Sequence, residues 1–192
     1  MAFQIVQLIY WVALASWFGG ILFVAIAAPV IFRTVREMNP ILPTVLSVNL
    51  ENQHGTLLSG NIVGNILAQL TRVQLGSALA MALMMIAQVF VIDRSGTNAL
   101  AAIIRAALLI AAAGLAAYDR YYVWPRIIKF RDQYVANADD PEIANPAKEQ
   151  FDQEHRHSIN LMMGILCLLV GLILFSAAIT PVATSVAVPL SR

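Results

Sequence analysis

Charge is what this sequence has least of. Lys, Arg, Asp and Glu make up 12% of its 192 residues, where a soluble domain carries about 25%. Long stretches hold no charge at all, which is the pattern of membrane spans. A single cysteine, Cys167, excludes an internal disulfide and any multi-cysteine zinc site. A net charge of +1 gives no footing for nucleic acid. No phosphate-binding glycine loop, no HExxH and no Gly-x-Ser-x-Gly is present, so no familiar nucleotide or hydrolase site is legible. The centres of the apolar runs hold no Asp or Glu, which weighs against a proton-coupled transporter. No basic segment precedes the first apolar run. That run is also too long for a signal peptide, so it is expected to be retained as a span.

What is present is apolar: 59% of residues, arranged as four runs. The first, 3–32, would be ~45 Å long as a helix, against ~30 Å of hydrocarbon, so tilt or protruding ends are expected. Trp11 and Trp17 are placed near an interface or against neighbouring helices. Gly19 and Gly20 form a notch, and Pro29 is expected to kink the last turn. Thr34 to Gly55, broken by Pro40 and Pro43, reads as a loop that lies on the membrane or covers the bundle. The second span is 73–92. It is preceded by an amphipathic half, 56–72, in which Asn61, Asn65, Gln69 and Arg72 share one face. That half is either an interfacial helix or an extension of the span with its stripe facing protein. DRSGTN (93–98) is a short turn. The third span, 99–118, holds Arg105, placed to snorkel outward, and leads to an aromatic belt of Tyr121, Tyr122 and Trp124. Residues 132–153 read as an exposed polar cytoplasmic loop, and 158–179 as the fourth span, ended by Pro181.

These runs predict an all-α integral membrane four-helix bundle in one domain, with up-down topology and a second helix extended by an amphipathic half. Eight Lys and Arg fall on the side of the long loops. Three, Arg94, Arg105 and Arg192, fall on the other. The positive-inside rule then puts the long loops in the cytoplasm and both termini outside.

Candidate chemistry gathers where the long loops meet the spans. An Arg72–Asp119 ion pair under Asn65 and Gln69 is one expectation, and interfacial anchoring of both residues is its alternative. His155 and His157 open the fourth helix. At i and i+2 they point about 200° apart on a helix, so a shared cofactor needs His54 from across the bundle. Those three are the candidate haem or metal ligands, against ordinary interfacial or capping histidines. Met81, Met84, Met85, Met162, Met163 and Cys167 offer soft ligands for Cu(I), against plain core packing.

The stretch WFGGILFVAIAAPVIFR (17–33), with its tryptophan, paired glycines and late Pro-x-x-Phe, resembles the first helix of the copper-resistance-protein-D-like superfamily of four-helix membrane proteins. Phe151, His155 and Ser158 resemble the F-x-x-x-H-x-x-S entry to that group's last helix. The resemblance implies a four-helix bundle. Its copper-resistance members imply copper movement, and its membrane protoporphyrinogen oxidases imply haem held by a histidine upstream of the tryptophan. This chain departs from the oxidase pattern, because Tyr10 stands where that histidine would be.

The functional expectation is therefore a non-enzymatic accessory or scaffolding subunit of a prokaryotic inner membrane. It would contact the lipid bilayer and either other membrane subunits or further copies of itself, and no nucleic acid. The alternatives are a copper- or haem-handling protein and a haem-dependent membrane oxidoreductase.

Overall fold

A computed structural model describes residues 1–43, 45, 47–91 and 99–177. Helix α1 is Ala2–Met38. A 3-10 segment, Val48–Gln53, leads into α2, His54–Val91. Helix α3, Ala99–Tyr118, passes through a π turn, Asp119–Val123, into α4, Trp124–Ala136. Helix α5 is Pro141–Ala177. Joined across its π turn, α3–α4 counts as one long helix, so four long helices make the bundle. Each is long and apolar enough to cross a membrane. Their outward faces carry Phe23, Ile26, Phe90, Ile110 and Leu174, all exposed. That is the arrangement expected where the solvent is hydrocarbon.

Successive helices run antiparallel, because the beginnings of α1 and α3 meet the ends of α2 and α5. Tyr10 touches Ser176, and Arg105 touches Gln88. The seam is built at heptad-like spacing. On α3 the buried positions are Ala101, Arg105, Leu109, Ala112 and Ala116. On α5 they include Glu154, Ser158, Ile165, Leu169, Leu172 and Ser176. Spacings of three and four keep a stripe facing its neighbours. Tyr10, Leu14 and Trp17 of α1 pack with Met81, Leu109 and Leu169 in the core. Trp17 is fully buried there, while Trp11 faces outward.

Several expectations are corrected. Residues 132–153 are not an exposed loop. Only 137–140 separate α4 from α5. The Asp140 carboxylate accepts from the Glu142 N–H at 3.1 Å and its carbonyl from Ala144 at 2.8 Å. Pro141 then opens the helix, where its missing N–H costs nothing. The segment is polar because it is a solvated helix, not because it is unstructured. The aromatic stretch 119–124 does not end a helix. Pro125 can donate no backbone hydrogen bond and would crowd the carbonyl four residues back. The π turn immediately before it widens the backbone there, and the helix continues.

Residues 56–72 are the first half of a continuous α2. Their polar stripe does not face protein as a whole: Asn61, Asn65, Gln69 and Arg72 are exposed. Asn61 alone reaches a neighbouring helix, accepting from Arg131 Nη2 at 2.5 Å. The segment before α2 covers the bundle end. Ser47 and Asn49 bond the 137–140 turn, and Tyr134 donates to Gln53 at 2.7 Å. Asn39 caps α1 with a left-handed φ of 44°. The predicted turn 93–98, Arg94, Pro181 and Arg192 lie outside the described residues.

The paired glycines have different tasks. A Cβ on Gly20 would fall 2.6 Å from Leu70 Cδ1, whereas one on Gly19 meets nothing within 4 Å. Gly20 is therefore where the Leu70 side chain of α2 packs onto the α1 backbone. Gly20→Leu is expected to lower stability by ~1–3 kcal/mol through overpacking. Gly19→Ala stays within ~0.5 kcal/mol or gains slightly from helix propensity. Thermal unfolding of the two variants in detergent checks the pair.

Candidate functional site

Two polar centres lie inside the bundle, one toward each end. The first is built on Arg105, which is 3% exposed and does not snorkel as expected. Its place on the buried stripe of α3 turns the side chain inward. Nε donates to Ser176 Oγ at 3.1 Å and Nη1 to Gln88 Oε1 at 3.1 Å. The guanidinium carbon lies 4.9 Å from the centre of the Tyr10 ring, and Tyr10 Oη shares a 2.7 Å hydrogen bond with Ser176 Oγ. One residue from each long helix therefore closes around one cation. None of the ion pairs among the described residues includes Arg105. The cation is held by neutral oxygens and a π face, and Gln88 Nε2 is left without a partner. Tyr10 serves here as a wall and a hydroxyl for arginine.

The second centre sits at the π turn. Asp119, its first residue, has Ser158 of α5 within hydrogen-bonding reach and His157 nearby. Its Oδ1 is buried and has no partner. Asp119, Ser158, Thr71 and Gln74 line a cavity of about 20 Å³ with Leu70 and Trp124. Trp124 is seated by Gly64, where a Cβ would stand 3.5 Å from the indole. Beyond it, Arg126 pairs with the buried Glu154 at 2.5 Å and accepts the Tyr122 ring as a cation–π partner at 5.2 Å.

The expected ligand sets do not gather. The Arg72–Asp119 pair is absent among the described residues: Arg72 is exposed and bonds Gln69 at 3.1 Å on its own helix. His54 is buried, and its Nδ1 accepts from the Leu42 N–H at 2.9 Å, which pins the covering segment. His155 and His157 are exposed. His155 stacks on Phe151 and His157 meets the Tyr118 ring edge-on. No group of three His, Cys, Asp or Glu suited to a metal occurs among the described residues. Met81 is in the core, Met84, Met85 and Met162 pack against it, and Met163 and Cys167 face outward one turn apart. The methionines divide between core and exterior rather than forming a path.

Tyr10, Gln88 and Ser176 carry no signal of their own in an apolar sequence. Arg105 did carry one, since it stands four, seven and eleven residues before Leu109, Ala112 and Ala116 on their buried face.

The fold and these inward polar centres define a multi-pass, four-helix membrane protein. Residues 12–136 match a protein family described as a domain of unknown function (DUF4149), and the chain belongs to that family. No curated protein and no solved structure matches it.

The Arg105 network sets a test. Gln88→Leu leaves a buried guanidinium N–H without its acceptor and is expected to destabilise by ~1–3 kcal/mol. Adding Arg105→Met to that change removes the demand and recovers part of the loss, because a well-packed apolar replacement avoids burying a charge. Thermal unfolding of the single and double variants checks the order.

Proposed function

We propose that this protein is a non-enzymatic accessory or scaffolding subunit of a prokaryotic cytoplasmic membrane, from a branch of the copper-resistance-protein-D-like superfamily. The observation that carries the reading is a division of labour between the two sides of its helices. Inside, polar groups bond one another and tie the helices together. Outside, an apolar groove between α1 and α2 sets small residues, Ala13, Ser16, Gly76 and Ala80, among larger ones such as Leu8 and Val73. A Cβ on Gly76 would meet nothing within 4 Å, so the notch is open. Within a bilayer, small residues let two helix backbones approach closely, and close packing is what holds membrane helices together. The groove suits a transmembrane helix of a partner subunit.

The long loops face the cytoplasm in this reading, with both termini outside. Burial of Arg105 supports that orientation, because it removes one of the three cations on the other side.

Gentle extraction from native membrane is expected to yield a larger complex that survives size exclusion. Gly76→Leu breaks that complex while leaving the bundle's own unfolding temperature unchanged, since the new side chain fills the groove and not the core. A particle containing a single chain and lipid alone would overturn the reading. So would a Soret band or stoichiometric copper in the same preparation, either of which favours cofactor handling.

A further inference from the structure

The cavity beside the π turn is acceptor-rich. Asp119 Oδ1 is buried without a partner. The Ser158 hydroxyl, which lines the same cavity beside the carboxylate, has lone pairs to offer. Thr71 Oγ1 donates to the Leu67 carbonyl at 3.0 Å, so its own lone pairs are also free. Gln74, 6% exposed, adds an amide that can present its oxygen. These four side chains come from α2, the π turn and α5, and they line one space of about 20 Å³. A water needs ~10–15 Å³ on that measure, so the cavity takes one small occupant. No Lys or Arg pairs with Asp119 among the described residues. A carboxyl group held near hydrocarbon is settled either by a proton or by a cation, and His157 lies close enough to act on it.

We propose that this cavity is a site for one alkali cation of sodium's size, held by Asp119, Ser158, Thr71 and Gln74. One carboxylate matches one positive charge. The remaining oxygens are neutral and hard, the donor type that suits such ions over transition metals. Leu70, Trp124 and Ile165 form apolar walls beside these oxygens. The π turn supplies the geometry: its wider backbone places Asp119 at the mouth of the gap between α2 and α5, and such single π turns are frequent at functional sites. The cation then bridges elements from both halves of the bundle and fastens α2 to α5.

The test uses the full chain in detergent, with sodium chloride compared against choline chloride at equal ionic strength. The unfolding temperature is expected to rise saturably by about 4 °C in sodium. Radioactive sodium is retained at one ion per chain and is lost at least tenfold in Asp119→Asn. Thr71→Val provides a second variant, since its hydroxyl bonds only within its own helix. It should fold, as judged by circular dichroism, and still lose retention. Equal unfolding temperatures in the two salts with no sodium retained would overturn the proposal and assign the cavity to a water. Undiminished retention in either folded variant would overturn it as well.

Discussion

A guanidinium placed where the surroundings are lipid has to find every partner within the protein. Around Arg105 that requirement fixes the bundle, because its partners come one from each of the other long helices. Tyr10 of α1, Gln88 of α2 and Ser176 of α5 must stand at one height for the cation to be satisfied. Sliding any helix by a turn would move its contribution by about 5.4 Å and leave a donor unpaired. Hydrophobic packing does little to set register in a bilayer, where lipid tails are as apolar as leucine. One buried cation does it instead, and the core of Leu14, Trp17, Met81 and Leu169 packs within the register so defined.

Toward the opposite end, beyond Asp119 and the Arg126–Glu154 pair, the bundle is closed by many modest bonds. Arg131 reaches Asn61 and the Leu57 carbonyl, Tyr134 reaches Gln53, and Ser47 and Asn49 reach the 137–140 turn. His54 holds the covering segment from beneath through the Leu42 amide. These bonds are mostly exposed or half-exposed, so each contributes little, and together they close the end. Buried polar groups therefore stand toward both ends, and inexpensive bonds close the loop side around them.

The four spans were legible because uncharged runs of about 20 residues admit few other readings. The segment 132–153 reads as an exposed loop because solvated helix and loop share the same polar composition. The sequence Asp140-Pro141-Glu142 is a helix start, and its physics is local enough to have been seen. The histidines and methionines attracted attention as residue types, but type does not give direction. His155 and His157 point outward, and Met163 and Cys167 of α5 face outward while Met81 of α2 lies in the core. The interior centres were hidden for the opposite reason. Tyr10, Gln88, Ser176, Thr71 and Gln74 are ordinary residues that gain meaning only when four helices meet, and that juxtaposition is a tertiary fact.

The π turn has a further consequence for how the third helix can change. It holds more residues per turn than its neighbours, so the phase of everything after residue 123 is offset from what α3 alone would dictate. The helix is in effect two rotors on one shaft. Arg105 belongs to the upper one, and Arg126 and Arg131 belong to the lower. Losing one residue within 119–123 would convert the π turn to an ordinary α turn, which closes with about one residue fewer, so the Arg126–Glu154 pair and the Arg105 contacts would both stay in place. A one-residue change in length at this turn can thus be absorbed without moving either rotor, which makes it the joint at which such a chain tolerates insertion and deletion.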